Sequence, residues 1–273
     1  MNKKTILLSR ILGRILALLG GCLLCATPVI AITISSLTQE REALPGESYT
    51  GTIEVVNNGD KSTSVQVHQT DYLFQSDGSN SFGPAGEFER SNAGWIDFSP
   101  NRIVIPPHET HRIDYTVSVP DNDSLSGTFW SMLMVEEIDS DSSPNRPADN
   151  QAAISQVVRY GVQCITQIGM TGISDLQVIG AELSMTADNT RELHVDVKNS
   201  GNRWAVPIAW VELYDENGQS AGRFECEKKR IFPSTSVRFR IQLADSLQGK
   251  YKALVVVDSG GENVLGAKYD LEF

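Results

Sequence analysis

Two stretches of this chain repeat one another in the same order, and that repeat limits the fold more than any other feature. Ile53-Glu54-Val55-Val56-Asn57-Asn58-Gly59 is answered by Val195-Asp196-Val197-Lys198-Asn199-Ser200-Gly201. In each, an alternating apolar run ends in an Asn-Gly type turn. Further on, Pro107 stands five residues before Arg112-Ile113-Asp114-Tyr115, and Pro233 stands five before Arg238-Phe239-Arg240-Ile241. Gly127-Thr128-Phe129 leads into Met132-Leu133-Met134-Val135 as Gly249-Lys250-Tyr251 leads into Leu254-Val255-Val256-Val257. Gly161-Val162-Gln163-Cys164 pairs with Gly266-Ala267-Lys268-Tyr269. Matches that keep chain order indicate a duplicated unit.

The unit is made of strands. Val, Ile, Thr and aromatic residues alternate with polar ones between Gly, Pro, Asn and Asp, and a helical period is almost absent. The pattern predicts strands over 33–37, 49–56, 63–74, 95–98, 102–105, 112–119, 128–136 and 154–168. A second set follows over 173–183, 192–198, 208–214, 222–226, 236–243, 251–257 and 264–273. Many short strands with turns between them form sandwiches or barrels. The expected fold is all-β: two consecutive immunoglobulin-like β-sandwich domains after a signal peptide. Domain one covers 32–170 and domain two 171–273, with the boundary near Gly169-Met170-Thr171-Gly172. Residues 139–151 are polar, acidic and Pro-punctuated, and are expected to form a mobile loop.

The first 31 residues read as a targeting segment. Lys3, Lys4, Arg10 and Arg14 precede an apolar run from Ile15 to Ala26, and Val29-Ile30-Ala31 offers a cleavage site. The run is short for a membrane span. Leu19-Gly20-Gly21-Cys22 resembles a lipobox, the competing reading, although Cys22 continues into apolar sequence. Cleavage after Ala31 removes four cations and no acid, taking the net charge from −11 to −15. So acidic a chain is not expected to bind nucleic acid or an anionic membrane surface. Cys22 and Cys25 leave with the leader. Cys164 and Cys226 remain, read as buried free thiols with a bridge as the alternative.

Motifs for chemistry are weak. Gly218-Gln219-Ser220-Ala221-Gly222 fits the G-x-S-x-G pattern, but Asp215-Glu216-Asn217-Gly218 marks a hairpin where a hydrolase needs an elbow before a helix. His108 and His111 lie in a turn without a third metal ligand, and His68 and His194 are isolated on strands. Asp121-Asn122-Asp123-Ser124-Leu125-Ser126-Gly127 places its Gly too late for a calcium loop and has no closing Glu. Glu136-Glu137 ends a strand beside the acidic loop. The alternation Tyr269-Asp270-Leu271-Glu272-Phe273 is like the last strand of an outer-membrane barrel, but it matches the end of domain one and reads as the closing strand of a sandwich. No enzyme, metal site or cofactor is expected.

The strand over 154–168 is the informative one. Ile154, Val158, Tyr160 and Val162 share a face. Its first half either sits in a sheet as ordinary core or offers backbone and alternate apolar side chains to a partner's strand. The chain resembles the periplasmic pilus-assembly (PapD-like) chaperones. Trp95-Ile96-Asp97-Phe98-Ser99-Pro100, followed by Ile105-Pro106-Pro107, is similar to that family's W-[IL]-x-x-x-P…L-x-P segment. Pro45-Gly46-Glu47-Ser48 leading into 52–58 is similar to its first hairpin. The resemblance implies an exported chaperone, periplasmic or in the cell envelope, that binds a pilus or surface subunit by strand addition. It also implies that a first-strand Arg and a closing-strand Lys hold the subunit's terminal carboxylate. Arg41 fits the first role. Gly161 occupies the Lys place, and Arg159 is the substitute the alternation suggests. The candidate binding residues are therefore Arg41, Ile154, Val158, Arg159, Tyr160 and Val162. The alternative is a structural or adhesive envelope module built from the same sandwiches.

Overall fold

The computed structural model describes residues 32–138, 158–260 and 264–273. The segments expected as a leader (1–31) and as a loop (139–151), and Ile154, lie outside the described residues. The regular structure of the described residues is strand, apart from one short 3-10 turn at Ala93–Trp95. In the first sandwich, one sheet has the order β1 (Ile32–Ile34), β3 (Ser48–Asn57), β8 (Thr110–Ser118), β6 (Ile96–Ser99). The facing sheet runs β2 (Thr38–Ala43), β10 (Arg159–Ile168), β9 (Gly127–Ile138), β4 (Thr63–Phe74), β5 (Asn80–Gly83), with β7 (Arg102–Ile105) also on β4. In the second sandwich, β11 (Leu176–Met185), β12 (Arg191–Asn199) and β15 (Ser236–Gln242) face a sheet ordered β14 (Ser220–Glu225), β13 (Ile208–Tyr214), β16 (Lys250–Asp258), β17 (Val264–Glu272).

Alternation builds each core. Ile53 and Val55 of β3, Ile113, Tyr115 and Val117 of β8, Leu133 and Val135 of β9, and Val162 and Cys164 of β10 are buried between the first two sheets. Leu193, Val195 and Val197 meet Phe239, Ile241, Val255 and Val257 in the second. Each fully buried aliphatic contributes about 1.5–3 kcal/mol.

The repeat extends to individual hydrogen bonds. Asn57 and Asn199 are both fully buried. The Asn57 side-chain amide donates to the carbonyls of Lys61 (2.8 Å), Ile105 (2.9 Å) and Pro106 (3.1 Å), and its oxygen accepts from the Gly59 N–H (2.9 Å). Asn199 donates to Arg203 (2.8 Å) and Ile231 (3.2 Å) and accepts from Gly201 (3.0 Å). The Asn-Gly turn is not a hairpin in either copy. β3 and β4 lie in opposite sheets, as do β12 and β13. The asparagine is the pin of a corner at which the chain changes sheet. Near the other end of the unit, Gly161 opposes Met134 and Gly266 opposes Val256, the positions the sequence repeat aligns.

The first strand departs from expectation. Instead of one strand over 33–37, the chain pairs with β3 as β1, crosses between the sheets at Ser35–Leu37, and joins the second sheet as β2, parallel to β10. Thr38-Gln39-Glu40-Arg41-Glu42 lacks an apolar alternation because β2 is a sheet edge with most of its side chains in water.

The sandwiches meet over an aromatic contact. Trp130 and Ile165, on the outer face of β9 and β10, pack with Phe232. The Trp130 and Phe232 rings stack at 4.8 Å. Arg230 lies 3.9 Å from the Trp204 ring and pairs with Glu40 at 3.1 Å. At the junction Gly127 has φ +78°, and a Cβ there would lie 1.9 Å from the Asn202 carbonyl oxygen. Only glycine fits a backbone that is both left-handed and this close to another backbone.

Candidate functional site: the half-paired edge of β10

β10 is paired along its whole length on one side, with β9 from Arg159↔Glu136 to Ile168↔Gly127. On the other side β2 covers it only from Gln163↔Thr38 to Ile168↔Ala43. Polarity follows from the flanking bonds. The Gln163 N–H donates to the Leu37 carbonyl (2.9 Å) on the β2 side, whereas the Val158 carbonyl accepts from Glu137 (3.4 Å) on the β9 side. Odd-numbered residues therefore face the β2 side. The main-chain groups of Arg159 and Gly161 point out of the sheet, without a partner among the described residues. This open edge exists because the chain leaves β1 and reaches the second sheet only at Thr38.

The side chains divide by face. Val162 is fully buried in the core and its main-chain groups face Leu133 of β9, so it offers the open edge neither side chain nor backbone. Tyr160 is half-buried against the same core, and its hydroxyl donates to the Ile32 carbonyl at 2.7 Å, closing the mouth between the sheets. Val158 is half-buried just before β10 begins. Leu37, at the crossing itself, is 51% exposed. The sequence pattern places it at the end of a strand expected over 33–37, and nothing in that pattern marks it as a residue of the open edge. Gly161 is a packing position: a Cβ there would lie 2.2 Å from the Met132 terminal methyl, so a long cationic side chain in its place would displace the methionine.

Arg41 and Arg159 do not come together. Arg41 is in register with Thr166, seven residues along the strand from Arg159, or about 23 Å. Residue parity sets them on opposite faces. Arg41 lies on the side of the buried Cys164 and Thr166, near Tyr49 and Tyr115. Arg159 projects from the outer face and pairs with Glu136 at 2.6 Å. A joint anchor built from the two is therefore corrected to a single open cation. The Arg41 side chain is exposed and has no hydrogen bond or ion pair among the described residues.

Below the edge lies a polar network. Asn92, fully buried, donates to the Cys164 carbonyl (3.1 Å) and to Thr166 Oγ1 (2.9 Å) and accepts from Ser131 Oγ (2.7 Å). Tyr49 shares a 2.8 Å bond with Thr166, and burial pushes its hydroxyl up to about 12. Burial also pushes the Cys164 thiol up to about 12, and raises the half-buried Cys226 thiol. Both cysteines are free. Low thiolate content and burial make Cys164 a poor nucleophile. An aromatic disulfide reagent at pH 8 should therefore leave Cys164 unlabelled in the native protein and label it in urea. Native labelling as fast as in urea would overturn this account of the thiol.

The other motifs are turns. Asp215–Gln219 closes a hairpin through Gly218 N–H to the Asp215 carbonyl (2.9 Å), and Ser220 opens β14 with no helix after it. Ser220 should stay unmodified by a fluorophosphonate probe. Peptide mapping that finds the adduct on Ser220 would reverse that expectation. His108 contacts Asp60 at 3.1 Å, with both side chains exposed. Among the described residues no group of His, Cys, Asp and Glu is arranged to hold a metal, and no helix is long and apolar enough to cross a membrane.

No family model and no curated protein matches the chain. Solved structures overlap with it along most of its length. The class 5 fimbriae chaperone CfaA shares 12% identity, covering 87% of this chain and 98% of that chain, with a TM-score of 0.46. A chain of the CsuC–CsuE chaperone–tip adhesion subunit complex of Acinetobacter baumannii shares 17%, covering 88% of this chain and 97% of that chain, at 0.44. The E. coli chaperone DraB shares 14%, covering 89% and 98%, at 0.39. At such identities the function must be argued from this chain's own residues.

Proposed function

We propose that the protein is an exported, non-catalytic chaperone that takes a β-strand of a pilus or surface subunit onto the open edge of β10. The observation that carries the reading is the unpaired stretch at Arg159 and Gly161, which offers main-chain donors and acceptors in line with β2. A partner strand laid there continues the sheet: its backbone supplies affinity, and side chains at every second position meet Leu37, Val158 and the rim of Tyr160. Arg41 lies farther along the same edge and is free to take an acidic group of the partner, which a charge-assisted bond holds by about 1.5–3 kcal/mol. A purely structural module would have a fully paired strand here, and an open edge is a liability that such a module covers or charges.

The test co-expresses the protein with a pilus or surface subunit that co-purifies with the wild type. Arg159→Pro deletes an outward N–H and spares the β9 ladder. It should abolish co-purification with little change in melting temperature. Val158→Glu should do the same, and Arg41→Ala should weaken binding about tenfold. Loss of binding together with folding would make 158–162 ordinary core. Unchanged binding in Arg159→Pro would remove strand addition at this edge.

A further inference from the structure

The second sandwich has an open edge of its own. β17 matches β10 in the repeat and pairs with β16 from Val264↔Asp258 to Glu272↔Lys250. It has no counterpart of β2 among the described residues, and it ends its sheet. Phe273 and Gly249 exchange both main-chain bonds (2.9 and 3.1 Å). Odd-numbered residues of β17 thus face β16, and Gly266, Lys268, Asp270 and Glu272 point their main-chain groups to solvent. The odd side chains Leu265, Tyr269, Leu271 and Phe273 lie partly buried against the core, and the even ones are exposed.

We propose that this edge joins two copies of the chain, β17 against β17, in an antiparallel pair with its two-fold axis at Tyr269. Charge favours this register, the one in which Lys268 and Asp270 stand opposite each other. With Tyr269 opposite its own copy, Lys268 faces Asp270 of the second copy and Asp270 faces its Lys268. Moving the axis to residue 268 sets lysine against lysine. Moving it to 270 sets aspartate against aspartate, and moving it to 271 sets Asp270 against Glu272. Like charges directly opposite are destabilising in a ladder. In the Tyr269 register the four outward residues form the hydrogen-bonded pairs Gly266–Glu272 and Lys268–Asp270, each twice by symmetry. On the inner face Ala267 meets Leu271, and Leu265 meets Phe273. Within one chain Asp270 already pairs with Lys252. The second copy's Lys268 extends this to a row of alternating sign across the joined sheets. The surface is self-complementary, as a two-fold interface requires. It is distinct from the β10 edge and does not rest on the chaperone reading.

Sedimentation velocity on the purified protein, from micromolar to submillimolar concentration, tests it. The wild type should dimerise as concentration rises. Lys268→Pro removes an outward donor without touching the β16 ladder, and should abolish the dimer with an unchanged melt. Lys268→Glu and Asp270→Lys should each weaken self-association about tenfold or more. Mixed together they should restore a heterodimer. The glutamate introduced in one copy then faces the lysine introduced in the other, and the native Asp270 of the first faces the native Lys268 of the second. If Lys268→Pro fails to fold, the charge variants carry the test. A wild type that stays monomeric throughout overturns the proposal. So does a dimer that survives Lys268→Pro, or a mixture that does not associate.

Discussion

Asn92→Ala should lower the stability of the first sandwich by about 3–5 kcal/mol. The amide is fully buried, and its three bonds reach Ser131, Thr166 and the Cys164 carbonyl. Alanine leaves Ser131 Oγ without its acceptor and the Cys164 carbonyl without its side-chain donor. Thr166 retains Tyr49 and the Cys164 carbonyl retains its β9 ladder bond, so Ser131 Oγ is the group left unsatisfied, at about 1–3 kcal/mol, with about 1 kcal/mol for each of the other two bonds. The vacated volume adds a cavity cost. Urea denaturation followed by tryptophan fluorescence reads the difference. A loss below about 1 kcal/mol would mean that the buried network makes no net contribution beyond that of an ordinary surface bond.

Alkali should destabilise the same sandwich. The Cys164 thiol has an ordinary value of 9.0 and is pushed up to about 12 by burial. The unfolded chain therefore loses this proton first as pH rises. The contribution is fully present below pH 9, declines from there, and is lost once the folded thiol titrates near 12. By pH 11 Cys164 alone should account for about 3 kcal/mol of lost stability. Tyr49, raised from 10.0 to about 12 chiefly by burial, acts in the same direction above pH 10, as does Tyr115. The measurement is urea denaturation at pH 8 and at pH 11, on the wild type and on Cys164→Ala. The alanine variant starts lower from its lost packing but should decline less with pH. Equal slopes for the two proteins would remove the thiol from the explanation.

What was legible in the sequence was whatever alternation reports. Ile53-Glu54-Val55 and Val195-Asp196-Val197 placed an apolar residue on the core face at every second position, and the strands and their duplication followed. β2 carried no such signal, because an edge strand in water has no buried face to impose a pattern. The Asn57-Asn58-Gly59 turn was visible, but a turn does not say which sheet the chain enters next. That depended on the bonds of Asn57 to Ile105 and Pro106, far away in sequence. The basic pair failed for a geometrical reason. Arg159 and Gly161 do share a face, as alternation says, but which face Arg41 occupies depends on the register of β2 on β10. Only the paired structure contains that register.

The crossing from β1 to β2 has one more consequence. Because β2 runs parallel to β10, the residue at which it begins also marks where the open part of β10 stops. The crossing thus acts as a ruler. Two residues deleted between Ile34 and Thr38 would pull the chain short of the second sheet, and two added would leave slack at the same mark. Only by recruiting Ser36 and Leu37 into β2 would the covered part advance toward Arg159. The length of the open edge is thereby written at Ser35–Leu37, far in sequence from the strand that bears it.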